Sequence, residues 1–266
     1  MTLSVAKIEE LAESLDRARL IGVPFPPLAT LYPDLSLDDA YAVQEAWTAR
    51  QRTQGRTPCG FKLGLTTPAA QGALGIDRPI HGPLFAETRV ASGALFPTAG
   101  LLGPRIEPEL AFVMKESLSG DIDAEEALAA IGKAAPALEI IDNRIAQLDP
   151  ATGARRNALD IVADGGGGCA FVMGEYRFDP AAADLRLIEV DFAAGDSREK
   201  ASFATVFGNP VNALVELSRA LADRGKRIEP GDVVLTGSPL SPVAISAGQR
   251  VTADFGELGV ITLEIT

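Results

Sequence analysis

The sequence has few of the residues that build redox or zinc sites. It contains two cysteines and one histidine among 266 residues. Cys59 and Cys169 stand far apart in the chain, and neither belongs to a Cys-x-x-Cys or Cys/His spacing. A disulfide scaffold and a structural zinc site are therefore not expected, and a reducing compartment fits the composition.

Positive charge and long apolar runs are also scarce. The formal net charge is −12 and the isoelectric point is about 4.6, whereas nucleic acids and anionic membrane surfaces call for clustered lysines and arginines. No stretch reaches the roughly 18 uncharged apolar residues of a membrane-spanning helix, and the charged N-terminal region lacks the apolar core of a signal peptide. We therefore expect a cytoplasmic protein without a nucleic-acid or membrane partner.

Apolar residues are plentiful, and the first 55 residues arrange them as helices. Hydrophobic residues make up 47% of the chain, which is enough for a sizeable core. Apolar side chains recur at helical spacing over residues 4–20 and again after Ser36, where Asp39 completes a capping signal. Residues 1–55 are therefore predicted to form a helical N-terminal segment.

The remainder of the chain has the pattern of a β-rich domain. After Gly55, short apolar runs alternate with glycine and proline over residues 56–266. Within this domain we expect residues 75–84 to form a loop and residues 142–168 to form a long irregular segment. The four glycines at 165–168 indicate a flexible turn, because no Lys-Ser/Thr pair follows to make a phosphate-binding loop.

Residues 105–114, Arg-Ile-Glu-Pro-Glu-Leu-Ala-Phe-Val-Met, read as a strand that enters a core. Side chains two positions apart share a face of a strand, so Glu107 and Glu109 lie side by side with Arg105 next to them. One interpretation is a solvated charge ladder in which Arg105 neutralises one glutamate. The other is a buried acidic pair that needs a divalent cation.

A third acid favours the cation. Glu139 stands alone in the apolar run at residues 137–141. Three converging carboxylates would repel one another without a counter-charge, and an oxygen-preferring ion such as Mg²⁺ or Mn²⁺ supplies one. Spacing alone does not establish that the three side chains converge.

Several motifs, in this order, resemble one known family. They are Phe-Lys-Leu-Gly-Leu-Thr at 61–66, Arg-Ile-Glu-Pro-Glu-Leu-Ala-Phe at 105–112, Ala-Leu-Glu-Ile-Ile-Asp at 137–142 and Leu-Thr-Gly-Ser at 235–238. The chain resembles, over almost its whole length, the 2-keto-4-pentenoate hydratase / 4-oxalocrotonate decarboxylase family of the fumarylacetoacetate hydrolase superfamily. The resemblance implies an α+β fold with a mixed β-roll or barrel-like core, N-terminal helices packed outside it, and a homo-oligomer.

The same resemblance implies a site. Glu107, Glu109 and Glu139 would bind Mg²⁺ or Mn²⁺, which would hold a 2-oxo acid by its C1 carboxylate and C2 oxygen. Lys62 would be a proton donor or electrostatic stabiliser, with its pKa lowered near the cation.

Further positions complete the implied site. Arg144, Asp164 and Ser238 are expected to bind the substrate.

The chain also departs from the family pattern. Ile80 replaces a second acid that helps deliver water in hydratases, and an isoleucine cannot transfer a proton. His81 stands beside it as either a substitute acid/base or a loop histidine bonded to a backbone carbonyl. Leu240 and Gly165 replace a hydroxyl residue and an asparagine, which makes the pocket less polar.

The expected function is a metal-dependent lyase, either a hydratase or a decarboxylase. Its substrate would be a small 2-hydroxydienoate or 2-oxo acid from aromatic meta-cleavage degradation. Loss of the acid at Ile80 weakens hydration more than decarboxylation, since the release of CO₂ needs no water delivery. Two alternatives stay open, an acylpyruvate C–C hydrolase and a non-catalytic subunit that assembles with an active hydratase or decarboxylase.

Overall fold

The computed structural model describes residues 2–175 and 178–266. The helices are α1 (Val5–Ile21), α2 (Leu28–Leu31), α3 (Leu37–Thr53), α4 (Pro68–Ala73), α5 (Ala124–Ala130), α6 (Ala158–Ala163) and α7 (Asn212–Ala222). No helix in the described ranges is long and apolar enough to span a bilayer. The N-terminal helical segment is confirmed, with Ser4 capping α1 and Ser36 and Asp39 forming the predicted capping box of α3.

The strands form two sheets. They are β1 (Pro58–Gly64), β2 (Ile80–Phe85), β3 (Arg89–Val90), β4 (Leu95–Phe96), β5 (Arg105–Met114), β6 (Ile131–Ile141), β7 (Gly168–Met173), β8 (Glu189–Ala194), β9 (Ser197–Ser202), β10 (Val233–Leu235), β11 (Val243–Ala244), β12 (Arg250–Asp254) and β13 (Val260–Ile265). The larger sheet runs β2-β1-β10-β5-β6-β7-β3 with β11 added to β5, and the smaller one runs β4-β13-β12-β8-β9. Parallel and antiparallel pairs both occur in each sheet, so the mixed α+β class is confirmed.

Several hydrophobic clusters hold these layers together, and two of them contain most of the buried apolar side chains. The larger core lies between the two sheets and α7, where Phe112, Phe192 and Leu214 are fully buried. A second core joins the N-terminal helices to the larger sheet, because Leu15 and Trp47 pack with residues of β2 and α6. The predicted division at residue 55 stays a prediction, since α1 and α3 share this core with the rest of the chain.

Two of the predicted loops contain regular structure. Residues 80–85 form β2, which pairs antiparallel with β1, so the loop prediction for residues 75–84 was wrong there. β2 is the end strand of its sheet, where Pro83 is tolerated because one side needs no ladder hydrogen bond. The segment 142–168 includes α6, whose cap Asn157 was not recognised.

Asp39 fastens the start of the chain to α3. Its carboxylate is fully buried and accepts hydrogen bonds from the backbone N–H groups of Thr2, Leu3 and Ser36 at 2.9–3.1 Å and from the hydroxyls of Thr2 and Ser36. Burial raises the pKa of Asp39, but the hydrogen bonds from Ser36, Leu3 and Thr2 outweigh it, so the net shift is downward.

We expect Asp39→Asn to destabilise the fold at neutral pH by about 1–3 kcal/mol, because an amide nitrogen would face N–H donors. A lowered folded-state pKa contributes stability that is present above the unfolded pKa of about 3.9 and is lost as the pH falls below it. The difference between wild type and variant should therefore shrink between pH 7 and pH 3 in urea unfolding. Asp38→Asn, whose side chain is 74% exposed, is the control and should change stability by less than about 0.5 kcal/mol. A constant difference at both pH values would contradict the role given to Asp39.

Candidate metal centre and adjoining cavity

The structure brings Glu107, Glu109 and Glu139 together. β5 and β6 are antiparallel, with Glu107 directly opposite Glu139, and Glu109 is the next residue on the same face of β5. One carboxylate oxygen from each of the three residues lies within 4.8 Å of the others. The strand register therefore produces the acidic cluster that spacing alone did not establish.

The cluster has too few partners for its oxygens. Glu109 and Glu139 are fully buried, whereas Glu107 is partly exposed. Glu109 Oε2 accepts from the backbone N–H of Gly237 at 2.7 Å, and Glu139 Oε2 accepts from Lys62 Nζ at 2.8 Å. The Oε1 atoms of Glu109 and Glu139 are buried without a hydrogen-bond partner in the described part of the chain.

The solvated-ladder interpretation is therefore wrong. Arg105 donates to the carbonyl oxygen of Pro242 at 3.4 Å and makes no ion pair with a glutamate in the described residues. Buried carboxylates without a counter-charge are costly, and burial together with the neighbouring acids raises the pKa of Glu107 and Glu109. Burial raises the pKa of Glu139 as well, against the opposing charge of Lys62. The unpartnered oxygens and their hard, anionic character fit an oxygen-preferring divalent cation.

Lys62 completes the cluster from β1. Its side chain is 4% exposed and its ammonium group bonds Glu139. Burial lowers the pKa of Lys62, but the charges of Glu139, Glu107 and Glu109 raise it more, so the net shift is upward. The lowered pKa expected for Lys62 refers to a site that holds a cation, and it stays a prediction.

The glycines at 165–168 build a fixed turn around Lys62. Gly165, Gly166 and Gly167 are buried and have φ values of 64°, 69° and 70°. A Cβ on Gly166 would lie 2.6 Å from Lys62 Cε, so any side chain there would push into the lysine. The glycines are thus needed for close packing as well as for positive φ.

A cavity of about 370 Å³ opens beside the cluster. Its polar wall includes Lys62, Arg105, Glu107, Asn143, Arg156 and Ser238, and its apolar wall includes Leu65, Leu74, Ile80, Ile161 and Leu240. Among the described lining residues, Glu107 is the only carboxylate and none is a histidine. Ser238, predicted to bind substrate, is thus placed on the wall, as are the apolar replacements Ile80 and Leu240.

His81 is not brought to this cavity. Neighbouring residues of β2 point to opposite faces, so Ile80 faces the cavity and His81 faces away from it. The His81 ring stacks on Tyr41 with 4.6 Å between ring centroids and lines a separate cavity. Burial lowers the pKa of His81 to about 3, which keeps the ring neutral near pH 7. Its buried ring nitrogens have no partner in the described residues, so the bond to a backbone carbonyl is not observed either.

Arg144 and Asp164 also lie outside the cavity wall. They form a buried ion pair with 2.5 Å between Arg144 Nε and Asp164 Oδ1, and the guanidinium also donates to the carbonyl oxygen of Asp164. The Arg144 guanidinium carbon lies 3.9 Å from the centre of the Trp47 ring. These contacts fix the residue that precedes the glycine turn, so the pair supports the turn and does not face the cavity predicted to hold substrate.

Sequence reasoning missed several polar residues on the wall, among them Asn143 and Arg156. Asn143 follows Glu139 by four positions, beyond the end of β6, and continuing the strand alternation from Glu139 through Ile141 would have pointed to it. Arg156 lies in the irregular part of 142–168, where no periodicity places a side chain. Its position becomes visible only in the folded chain.

Comparisons with known proteins agree with this architecture. The family model described as fumarylacetoacetate (FAA) hydrolase C-terminal matches residues 86–266. The chain is 33% identical over 262 residues to 2-keto-4-pentenoate hydratase of Paraburkholderia xenovorans (strain LB400), covering 96% of this chain and 94% of that protein. It is 30% identical over 256 residues to 4-oxalocrotonate decarboxylase of Pseudomonas sp. (strain CF600), covering 96% of this chain and 95% of that protein.

A solved structure shares the whole fold. The 4-oxalocrotonate decarboxylase of Pseudomonas putida G7, complexed with magnesium and adipate, superposes with a TM-score of 0.93 at 27% identity, covering 100% of this chain and 99% of that one. The predicted barrel-like core with external N-terminal helices is thereby confirmed. The chain belongs to the fumarylacetoacetate hydrolase family.

Proposed function

We propose that this chain is a divalent-metal-dependent lyase that acts on a small 2-oxo acid. The observation that carries the proposal is the convergence of Glu107, Glu109 and Glu139, with two unpartnered buried oxygens, beside a cavity of about 370 Å³. These three carboxylates would hold Mg²⁺ or Mn²⁺. The relatives named hydratase and decarboxylase, and the magnesium in the related structure, support this assignment.

The residues around the cluster suit chemistry in which charge develops on the C2 oxygen of a 2-oxo acid. A bound divalent cation would act as a Lewis acid for that oxygen. Lys62 is held by Glu139 and by the glycine turn, and it would bring a positive charge and a proton next to that oxygen. The apolar wall formed by Leu74, Ile80 and Ile161 would exclude water and strengthen these charge interactions.

Decarboxylation suits this cavity better than hydration. Hydration needs a group that delivers water, yet Ile80 faces the cavity and Glu107 is the only carboxylate among the described lining residues. Loss of CO₂ breaks a carbon–carbon bond, and the electron pair moves through a conjugated double bond to the C2 oxygen. That step uses the positive charge of Lys62 and requires no water.

The remaining alternatives are weaker. C–C hydrolysis of acylpyruvates needs a histidine–acid pair to activate water, and His81 faces the other side of β2. A non-catalytic subunit would have no reason to gather three carboxylates and to leave two of their buried oxygens without a partner. We further propose that the protein assembles as a homo-oligomer in the cytoplasm and that residues 1–55 and 56–266 are its two structural units.

We expect Glu109→Gln to weaken Mg²⁺ binding by at least about 100-fold, because even groups that only orient ligands change affinity by about 10–100-fold. Without metal, the variant should be more stable than the wild type, since one of three repelling carboxylates is gone while Gly237 keeps its acceptor. Calorimetric titration with Mg²⁺ and thermal unfolding with and without Mg²⁺ measure both effects. Glu116→Gln, an exposed site just after β5, is the control and should change neither. Unaltered Mg²⁺ affinity in Glu109→Gln would refute the ligand assignment.

Lys62→Met keeps the length of the buried stem and removes its charge. We expect turnover to fall by about 10²-fold or more while Mg²⁺ binding persists, since general acid–base and electrostatic groups each contribute on this scale. Steady-state kinetics and metal titration on the same preparation separate the two properties. Lys133→Met, at an exposed position of β6, should behave as wild type. Wild-type turnover in Lys62→Met would remove the lysine from the mechanism.

The reaction itself is resolved by incubating the protein and Mg²⁺ with 2-hydroxypenta-2,4-dienoate, 2-oxohex-3-enedioate or an acylpyruvate. Ultraviolet absorbance follows the conjugated systems, and CO₂ is measured directly. We expect Mg²⁺-dependent release of CO₂ from 2-oxohex-3-enedioate at a higher kcat/KM than conversion of either other compound. Faster consumption of the dienoate would make the protein a hydratase, and no Mg²⁺-dependent turnover of any compound would favour the non-catalytic subunit.

A further inference from the structure

A separate, smaller cavity lies where α1 and α3 meet the segment after β6. Its volume is about 140 Å³, and none of its described lining residues belongs to the cavity beside the acidic cluster. Three arginines line it, Arg19, Arg56 and Arg144, and Asp16 is the only carboxylate among the described lining residues. Three positive charges and one negative charge leave the wall with a net charge of +2. A wall of this charge favours an anionic occupant.

Arg144 is held firmly on one side and keeps an unused donor. Its Nε and Nη2 donate to the side chain and the carbonyl oxygen of Asp164, and its guanidinium carbon lies 3.9 Å from the centre of the Trp47 ring. Its side chain is only 2% exposed. An arginine offers five N–H donors, yet Nη1 of Arg144 has no hydrogen-bond partner among the described residues. A guanidinium fixed in this way is ready to bind an anion without reorganisation.

Arg19 and Arg56 also have unused donors. Arg19 donates from Nη2 to Asp142 at 3.1 Å, while its Nε is buried without a hydrogen-bond partner in the described part of the chain. Arg56 has no ion pair with any described carboxylate, and its guanidinium carbon lies 5.9 Å from the centre of the Phe85 ring. The donors of these two arginines can therefore turn to a ligand.

Asp16 does not satisfy these donors, although it lines the same cavity. Its two oxygens already accept hydrogen bonds at 2.7–3.2 Å from four side chains, Trp47, Arg50, Gln51 and Gln54. A carboxylate has about four lone-pair sites, so Asp16 has none left for the lining arginines. An acceptor for them has to come from a bound molecule.

The charges of Arg19 and Arg144 also repel each other. Burial lowers the pKa of Arg144, the carboxylate of Asp164 raises it, and the charge of Arg19 lowers it again, so that the net shift is downward. An anion placed between the two guanidinium groups would relieve this repulsion.

We propose that this cavity binds a small tetrahedral oxyanion, phosphate or sulfate, between Arg19, Arg56 and Arg144. A volume of about 140 Å³ corresponds to about five water molecules at roughly 30 Å³ each, which leaves room for the five heavy atoms of such an ion. The bound ion joins α1 to Arg144 and so stabilises the packing of the N-terminal helices. Since Arg144 also holds Asp164, which precedes the glycine turn, the same ion strengthens the support of Lys62.

The test is a titration of the wild-type protein with phosphate, with and without Mg²⁺, at an ionic strength kept constant with NaCl. We expect calorimetry to show one phosphate bound per chain, with the same affinity in both conditions. At a phosphate concentration tenfold above Kd, the Tm should rise by about 3–5 °C. Sulfate should act in the same way, whereas NaCl alone should not raise the Tm.

Two variants locate the ion. Arg56→Gln and Arg19→Gln should each weaken phosphate binding at least about tenfold, because each removes charged hydrogen-bond donors from the ion. Arg56→Gln breaks no ion pair among the described residues, so it decides the question even if the loss of the Arg19–Asp142 pair unfolds Arg19→Gln.

Arg17→Gln is the matched control. Arg17 is an exposed residue of α1, two positions before Arg19, and it does not line the cavity. Its replacement removes the same charge from the same helix, so a general effect of net charge would appear in this variant too. We expect its phosphate affinity and its rise in Tm to equal those of the wild type.

Three results would overturn the inference. They are a rise in Tm that NaCl reproduces, phosphate binding that requires Mg²⁺ and so takes place at the metal centre, and an unchanged phosphate affinity in Arg56→Gln. Each of them would leave the metal-dependent function standing, because the two cavities share no described lining residue.

Discussion

The repulsion among three carboxylates is the constraint on which the site depends. The antiparallel register of β5 and β6 places Glu107 opposite Glu139, an arrangement that destabilises a sheet when both side chains are charged. The fold compensates only in part, with the Lys62 ammonium and the backbone N–H of Gly237. The buried oxygens of Glu109 and Glu139 that have no hydrogen-bond partner are the reason to expect that the cluster binds a cation. A cation that binds these carboxylates would therefore stabilise the folded protein, and its removal would lower the free energy of unfolding.

Lys62 owes its position to contacts that lie outside the cavity. Its stem passes against Gly166, and the turn containing Gly166 is preceded by Asp164, which Arg144 holds through side chain and backbone. Arg144 in turn stacks on Trp47 of α3. The N-terminal helices therefore reach the cluster through a chain of packed groups. Arg144 and Asp164, which were expected to bind substrate, thus help to position Lys62. Their substitution would affect the reaction by displacing Lys62.

The sequence predicts the local parts of this molecule well, because local parts follow from periodicity and caps. The sequence alone was sufficient to locate the helices α1 and α3, the strand with Glu107 and Glu109, and the single acid Glu139 in its apolar strand. The directions of the side chains on β2 were not predicted, because Pro79 and Pro83 gave this segment the pattern of a loop. The position of His81 on the face opposite to Ile80 therefore became apparent only in the structure. Arg156 was missed for a different reason. Its segment has no repeating pattern, and only tertiary contacts bring it to the cavity.

The order of charges along β5 makes the two ends of the cavity electrostatically different. Arg105 lies at one end of a strand face and Glu107 and Glu109 follow toward the interior, so positive charge is near solvent and negative charge is deep. With a divalent cation on the acids, both ends become attractive to anions while the wall between them stays apolar at Ile80 and Leu240. A bound 2-oxo acid would place its uncharged carbons against this apolar wall, where their removal from water is favourable.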